Sequence, residues 1–333
     1  METFPARVFI QVFTEKEFGG KMIIPPEGKL VAEEMKSRGI PVVFKTSEEI
    51  FRKEFPLTLD DLVVGDFDWI RKSMKQLGIP MPIAPDYPQC LEHLLNRKIW
   101  FTTLGEVEEY LKTTTKDIFI KPAVDVKAFS GLIEPKEQML QYVLEQFPRS
   151  FPVVCSELAE FVSEYRVYVV NGEIKGVGHY RGPKEKELDM KIVEDAVKIL
   201  SQSDEGKELK GCSLDFAVMR ISTEKPQETK EPNSSEDKQM KPEEQKTEIK
   251  NPEEIEANNK IAEEKPQDSK ESGSTEDNKA VPDDATYLTT LIEVNDGFAL
   301  GWYEGVSAKD YTDLLIERWK ELLKNHKRSE KTT

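Results

Sequence analysis

Two polar residues lie in the middle of the largely apolar segment "TTLIEVNDGFALGWY" at 289–303. Glu293 and Asn295 are two positions apart, and a strand directs such residues to the same face. The segment "SLDFAV" at 213–218 alternates in the same way, and antiparallel pairing of the two would bring Asp215 to them. Two carboxylates and an amide oxygen suit Mg²⁺ or Mn²⁺ rather than Zn²⁺. The alternative is a polar outer face of the sheet.

Two lysines and a small-residue turn follow one another in "FIKPAVDVKAFSGLI" at 119–133. Lys121 ends a predicted strand, and Lys127 precedes the turn at Ser130 and Gly131. A lysine supplies point charge for nucleotide phosphates, and a small-residue loop supplies backbone N–H groups. The same lysines could instead be solvated, and the residues alone leave both interpretations open.

A charged residue also lies within the apolar segment "SEYRVYV" at 163–169. Strand alternation places Glu164, Arg166 and Tyr168 on one face. A guanidinium inside a strand requires an anionic partner, because an unpaired buried charge is costly. Glu164 could be that partner, and so could a bound phosphate group.

Alternating strand and helix patterns predict the elements that position these side chains. Residues 1–85 show strand–helix–strand alternation, which predicts a parallel sheet covered by helices. Residues 87–114 are predicted to be mostly helical, with a break near Phe101. The dipeptide Asn171-Gly172 predicts a tight β-hairpin. Together these patterns predict a mixed α/β, or α+β, fold class.

Residues 222–284 are predicted not to fold, because they contain no aromatic residue and very few apolar ones. Burial therefore cannot offset the conformational entropy of this segment. It contains 10 Lys and 19 Asp or Glu, a net charge of −9. A near-repeat, "EKPQETKE" at 224–231 and "EKPQDSKE" at 264–271, offers nothing to bury and so predicts no solenoid. We predict a disordered acidic insertion between the two ligand-bearing strands, which could recruit a protein partner.

The composition of the chain excludes several classes of protein. Its 333 residues carry a formal charge of −16, which argues against general affinity for nucleic acid or an anionic membrane. Three widely spaced cysteines indicate neither a zinc site nor a disulfide framework. The first residues do not resemble a signal peptide, and no segment approaches the roughly 20 apolar residues of a membrane span. We expect a cytoplasmic protein with no nucleic-acid or membrane partner.

The order of these features resembles the ATP-grasp superfamily, and within it the clade named for additional arginine and lysine residues. The segments that carry the resemblance are "NRKIWFTTLGE" (96–106), "FIKP" with "KAFSG" (119–131), "SEYRVYV" (163–169), "LDFAV" (214–218) and "IEVNDGFALGWY" (292–303). The resemblance extends from about residue 86 to residue 325. It implies an N-terminal α/β domain at 1–85, an ATP-grasp N-terminal subdomain at 86–152, and a C-terminal subdomain at 153–328 that the insertion 222–284 interrupts.

The resemblance also implies roles for the residues that would handle phosphate. Lys121 and Lys127 would contact the phosphates of ATP, together with the loop at Ser130 and Gly131. Arg166 would neutralise charge on the reacting γ-phosphate or on an acyl-phosphate. These roles need positioning and charge stabilisation rather than a nucleophilic side chain.

The remaining implied roles concern the base, the metal and one further arginine. The adenine hinge would be the backbone at 156–158, and Arg97 would be one of the additional basic residues of the clade, with a catalytic role. Glu157 or Glu160 would lie near the adenine amine or the ribose, and Leu158 would belong to the hinge backbone. The ligands of Mg²⁺ or Mn²⁺ would be Asp215, Glu293 and Asn295.

The activity that the resemblance implies is that of an ATP-dependent, ADP-forming ligase. ATP would phosphorylate a carboxylate, and an amine or similar nucleophile would displace phosphate from the acyl-phosphate. The substrates would be small-molecule or peptide carboxylates and amines. One alternative is an ATP-binding adaptor or pseudo-enzyme whose insertion recruits a partner, and it would bind ATP without forming ADP. Another is a kinase-like phosphotransferase, which would release a phosphorylated product.

Overall fold

Three four-stranded sheets form the framework of the protein in the computed structural model. The structure describes residues 4–15, 20–52, 56–83, 85–124, 128–221 and 285–330. The predicted insertion at 222–284 and Lys127 lie outside the described residues. The mixture of helices and strands confirms the predicted α+β fold class. No helix in the described ranges is long and apolar enough to cross a membrane.

The first sheet and its helices occupy the N-terminal part of the chain. Their elements are β1 (Arg7–Glu15), β2 (Lys21–Ile23), α1 (Pro26–Ser37), β3 (Val42–Thr46), α2 (Ser47–Phe51), β4 (Asp61–Val64) and α3 (Phe67–Leu77). β1 pairs in parallel with β3 and with β4, and β2 adds an antiparallel edge. Asp66 caps α3 by accepting the N–H of Trp69. The parallel sheet predicted from strand–helix–strand alternation is confirmed.

The second sheet is antiparallel and has the spatial order β5-β8-β6-β7. Its elements are a 3₁₀-helix (Gln89–Leu94), β5 (Ile99–Thr103), α4 (Leu104–Leu111), β6 (Ile118–Pro122), β7 (Leu132–Glu134), α5 (Leu140–Gln146) and β8 (Pro152–Glu157). The prediction that 87–114 is mostly helical is wrong at β5. That run of β-branched and aromatic residues pairs with β8 instead. Thr103 and Glu106 form a capping box that begins α4 directly after the strand.

The third sheet, also antiparallel, has the order β10-β9-β11-β12. Its elements are β9 (Phe161–Val170), β10 (Glu173–Arg181), α6 (Met190–Gln202), β11 (Gly211–Ile221), β12 (Thr286–Asp296), a 3₁₀-helix (Gly297–Ala299) and α7 (Ala308–Glu330). The predicted hairpin is confirmed, since Asn171 and Gly172 join β9 to β10 with φ of 53° and 79°. The predicted antiparallel pairing of β11 with β12 is also confirmed.

Helix α7 joins the first and third sheets through a common core. Trp319 and Tyr311 of α7 are buried in the same apolar cluster as Met35 of α1. An ion pair of 2.6 Å between Arg38 and Asp313 links the two helices at the surface. The described residues belong to one compact unit. The domain boundaries after residues 85 and 152 stay predictions. Strand β8, which begins at residue 152, hydrogen-bonds with β5 and β6.

Candidate active site

A lysine from the second sheet reaches a carboxylate of the third. Lys121, at the end of β6, donates to Glu293 Oε2 on β12 at 2.9 Å. Its Nζ also lies 3.5 Å from Asp86 Oδ2 and 4.6 Å from the centroid of the Tyr87 ring. Burial lowers the pKa of Lys121, but the negative charges around it outweigh burial, and the net shift is upward. The ammonium group therefore stays charged between two carboxylates.

An arginine–carboxylate pair lies within the third sheet. Arg166 Nε and Nη2 donate to the two oxygens of Asp215 at 2.9 and 2.7 Å, a bidentate geometry. Asp215 is only 3 % exposed. Burial raises the pKa of Asp215, and the hydrogen bonds from Arg166 oppose that rise. The interpretation in which Glu164 partners Arg166 is wrong, because Glu164 pairs with Arg181 at 3.0 Å.

The strand register places the predicted metal ligands in one row. Asp215 lies opposite Arg166 on β9 and opposite Glu293 on β12. Directly opposed residues have Cβ atoms about 4.5–5.5 Å apart, so the two carboxylates are neighbours. Asn295 is two residues farther along β12, and its Nδ2, near Asp215, is buried without a hydrogen bond of regular geometry among the described residues. Only the Oδ1 atom of Asn295 could bind a metal, and with the two carboxylates it would form a set of hard oxygen donors that fits Mg²⁺.

Metal binding by these residues stays a prediction. Within the described ranges no group of three or more His, Cys, Asp or Glu side chains is arranged to hold a metal ion. The predicted set has two carboxylates, and an amide would supply its third protein ligand. Magnesium commonly keeps several water ligands and needs only one or two carboxylates from the protein.

Arg97 makes its hydrogen bonds mainly with the backbone. Its Nη1 donates to the carbonyls of Leu95 and Leu291 at 3.0 and 2.8 Å, and its Nη2 donates to Ile292 O at 2.7 Å. Its Nε donates to Ser156 Oγ at 3.1 Å. The structure thus places Arg97 on the backbone of β12, immediately before Glu293. Its predicted catalytic role is untested.

The predicted phosphate loop lies over the strand that carries Lys121. Gly131 packs against the ring of Phe119, where a Cβ atom would collide with the aromatic carbons. Phe119 and Lys121 are two apart on β6 and share one face. Ser130 and Gly131 are exposed, so their backbone is accessible to a ligand. The phosphate roles of these residues, and that of Lys127, stay predictions.

The predicted adenine hinge connects β8 to β9 and is fixed at both ends. Glu157 Oε2 accepts the backbone N–H of Lys98 at 3.0 Å, and the Glu157 N–H donates to Lys98 O at the same distance. Glu160 forms an ion pair of 3.0 Å with Arg220. Leu158, between them, is 46 % exposed. The carboxylate of Glu160 is therefore occupied by a protein partner, and the hinge role of all three residues stays a prediction.

Asp86 is a residue of the site that the sequence did not predict. It adopts a φ of 31°, and its carbonyl accepts the N–H of Val294 at 2.7 Å, which ties the preceding linker to β12. Burial raises the pKa of Asp86, and Lys121 opposes that rise. The residue contributes the second carboxylate near Lys121, beside Glu293. No local sequence pattern predicts this role, because the partners of Asp86 are distant in the sequence.

Two tyrosines, also missed, pack on Arg166. The rings of Tyr180 and Tyr303 stack with centroids 5.0 Å apart. Arg166 Cζ lies 6.0 and 5.3 Å from these centroids, within cation–π range. Tyr303 belongs to the segment 301–306, which crosses β10 at Gly176 and Gly178. Glycine inside a strand signals such a close backbone approach, and this signal in "KGVGH" could have located the contact.

The crossing segment provides a stability prediction. Replacement of Gly176 by alanine should lower the free energy of unfolding by about 1–3 kcal/mol, the usual cost of overpacking. The added Cβ would collide with the backbone of Gly305 and Val306, which cannot move aside as a flexible side chain can. Urea denaturation measures the loss. The neighbouring Lys175→Ala should change stability by less than about 0.5 kcal/mol, and equal stability of both variants would contradict the packing argument.

The central part of the chain matches a known family model. Residues 94–242 match the family model of an ATP-grasp domain, the second family of the clade named for arginine and lysine. The matched segment contains Arg97, Lys121, Arg166 and Asp215. The predicted resemblance to the ATP-grasp superfamily is thereby confirmed. The clade is the one that the additional arginine and lysine residues indicated. No curated protein sequence matches the chain.

Solved ATP-grasp structures resemble the chain at low identity. D-alanine–D-alanine ligase from Bacillus anthracis is 12 % identical, with a TM-score of 0.43, over 98 % of this chain and 100 % of that one. Macrocyclase MdnC with its precursor peptide, from Microcystis aeruginosa MRC, is 11 % identical, with a TM-score of 0.38, over 64 % of this chain and 86 % of that one. A RimK-domain ATP-grasp protein from Sphaerobacter thermophilus is 13 % identical, with a TM-score of 0.39, over 66 % of this chain and 86 % of that one. Similarities of this size say nothing about the substrate.

Proposed function

We propose that the protein is an ATP-dependent, ADP-forming ligase that activates a carboxylate as an acyl-phosphate for attack by an amine or a similar nucleophile. The observation that carries the proposal is the row of paired charges formed by Lys121, Glu293, Asp215 and Arg166. This row lies where the second and third sheets meet. It accompanies the ATP-grasp match at 94–242.

The charges in this row are of the kinds that a nucleotide and its metal require. Lys121 and Arg166 are held in their charged forms by carboxylates, and both are suited to phosphate oxygens. Asp215 and Glu293 are oxygen donors suited to Mg²⁺, with Asn295 beside them. Bound Mg²⁺ would supply positive charge against the phosphate oxygens. Each basic side chain would then exchange a carboxylate partner for a phosphate partner.

The proposed reaction needs two displacements, and the side chains would stabilise the charge in both. A carboxylate oxygen of the first substrate attacks the γ-phosphorus of ATP, and ADP leaves. The amine then attacks the acyl carbon, and inorganic phosphate leaves with the bonding electron pair. Arg166 would hold the transferred phosphoryl group through its planar fork, which Tyr180 and Tyr303 help to orient.

Trapping with hydroxylamine tests this proposal directly. The full chain with ATP, Mg²⁺ and a panel of carboxylates should form ADP and, with hydroxylamine present, the hydroxamate of the activated carboxylate. Release of a stable phosphorylated product with no hydroxamate would indicate a phosphotransferase instead. ATP binding with no ADP from any substrate mixture would indicate the adaptor. Either result would contradict the ligase proposal.

The same proposal predicts unequal effects of the two lysines. Lys121→Ala should weaken ATP binding about 10- to 100-fold, because a hydrogen bond to a charged group contributes about 1.5–3 kcal/mol. Lys127→Ala should weaken binding less and lower turnover more, if its loop closes over bound ATP. Calorimetry and steady-state kinetics separate the two effects. The exposed Lys112→Ala serves as the control, and unchanged ATP affinity in both site variants would rule out this arrangement.

A further inference from the structure

We infer that Arg97 is a positioning residue, which holds a β-bulge in β12 and thereby turns Glu293 and Asn295 toward Asp215. The inference rests on the metal role proposed for these side chains. It replaces the catalytic role that the resemblance implied for Arg97. Three observations support it, namely the register of β12, the burial of its neighbours and the hydrogen bonds of the guanidinium.

The register of β12 shifts by one residue at the site. Asp215 lies opposite Glu293, whereas the next residue of β11, Phe216, lies opposite Leu291. Ile292 is therefore the extra residue of a β-bulge, with two residues of β12 facing one of β11. A one-residue shift exchanges the two faces of a strand for every residue beyond it.

The bulge decides which face Glu293 occupies. Leu291 and Val294 are both fully buried in the core cluster that also contains Leu214 and Phe216. They are three positions apart, so a regular strand could not direct both of them to that core. In a regular strand Glu293 would share the face of Leu291 and would lie in the apolar cluster. With the bulge, Glu293 faces Lys121 instead.

Arg97 satisfies the backbone that the bulge displaces from regular pairing. A buried carbonyl without a partner is costly, and a bulge leaves its extra residue outside the ladder. The guanidinium spans the bulge, since Nη1 donates to Leu291 O at 2.8 Å and Nη2 donates to Ile292 O at 2.7 Å. Its Nη1 also donates to Leu95 O, and its Nε donates to Ser156 Oγ on β8. Arg97 thus anchors the bulge to the second sheet.

Only a planar fork can make these contacts at once. Lysine would keep the positive charge near the site but could not donate to two adjacent carbonyls and a serine together. Arg97→Lys therefore separates positioning from charge. If Arg97 acted through its charge, lysine would restore function, and if it acts by holding the bulge, lysine would not.

The test uses the full chain and measures Mn²⁺ binding in the presence of ADP by electron paramagnetic resonance. We expect Arg97→Lys and Arg97→Gln each to weaken Mn²⁺ binding at least 10-fold, with less than 3-fold change in ADP affinity without divalent metal. Glu293→Gln should show a similar loss. The double variant Arg97→Lys/Glu293→Gln should lose less than the product of the two single losses, because Arg97 acts in part through Glu293.

A second arginine with a similar hydrogen-bonding geometry serves as the structural control. Arg7 makes a two-point contact with Asp61 in the first sheet, at 2.6 and 3.1 Å. Arg7→Lys should lower the urea midpoint and leave Mn²⁺ binding unchanged. If Arg97→Lys does not fold, Ser156→Ala removes the Nε acceptor together with the hydrogen bond from the Ser156 hydroxyl to Glu157 O, and a 2- to 5-fold weaker Mn²⁺ affinity is then expected.

The possible outcomes separate this inference from the proposed function. Wild-type Mn²⁺ affinity in Arg97→Lys, or in Ser156→Ala where only that variant folds, overturns the positioning role. A double-variant loss equal to the product of the single losses overturns it as well. In both cases the wild-type chain still binds Mn²⁺ with ADP, and the ligase proposal stands. A wild-type chain that binds neither ADP nor Mn²⁺ overturns both.

Discussion

Replacement of Glu293 by glutamine is expected to lower ATP turnover by at least about 1000-fold while the fold stays intact. The substitution keeps the shape of the side chain and removes the negative charge that pairs with Lys121 and would hold the metal. Metal stabilisation of transferring phosphate is worth several kcal/mol, and each 1.36 kcal/mol corresponds to a factor of ten. Because the Glu293 side chain is 28 % exposed, little stability depends on its charge.

The measurement is ADP formation at saturating ATP and Mg²⁺, with urea denaturation to verify the fold. Glu173→Gln is the matched control, since Glu173 is an exposed carboxylate paired with Lys175 on β10. It should turn over ATP at the wild-type rate. Lys121 keeps Asp86 as a partner in Glu293→Gln, so ATP affinity without metal should change little. Wild-type turnover by Glu293→Gln would show that the metal assignment is wrong.

The pairing of the two ligand strands was predictable from a local pattern. Alternation in "SLDFAV" and the polar pair in "IEVN" indicated that Asp215, Glu293 and Asn295 share a face, and the register places Asp215 opposite Glu293. The bulge was not predicted, although the sequence contains its signal. Leu291 and Glu293 are two apart, and a buried leucine and a site carboxylate belong on opposite faces.

Contacts between distant segments could not be predicted. Asp86 contacts Lys121 and Val294 because the segment around it packs against β12. Nothing in "APDYPQ" predicts that contact. The contact of Tyr303 with Arg166 could not be predicted for the same reason. Residues 99–103 could not be assigned for a different reason. A short apolar run favours helix and strand equally until its partner strand β8 is known.

The buried pair of Arg166 and Asp215 leads to the second large effect, on stability as well as on activity. Arg166→Met should lower the free energy of unfolding by about 3–5 kcal/mol, because it leaves an uncompensated carboxylate in a site that is 3 % exposed. Lysine in place of Arg166 would lose the bidentate contact and should also be destabilising. Urea denaturation at several pH values measures the loss.

The loss in Arg166→Met should depend on pH with a defined sign. Burial raises the pKa of Asp215 in the folded protein, and without Arg166 nothing of equal strength opposes that rise. The folded state then binds more protons than the unfolded state, so stability falls as the pH rises. It should be highest below the unfolded pKa of about 3.9 and decline, by at most about 1.36 kcal/mol per pH unit, up to the raised folded pKa. A rise in stability over this interval would contradict the assignment.

A double variant distinguishes the structural from the chemical role of the pair. Arg166→Met with Asp215→Leu replaces both charges by apolar side chains of similar volume, an exchange that is often neutral or stabilising. Most of the stability lost in Arg166→Met should therefore return, and the pH dependence should disappear with the carboxylate. ATP turnover should not return, because the proposed phosphate-binding and metal-binding groups are both gone. Recovery of turnover together with stability would show that the pair only holds β9 against β11.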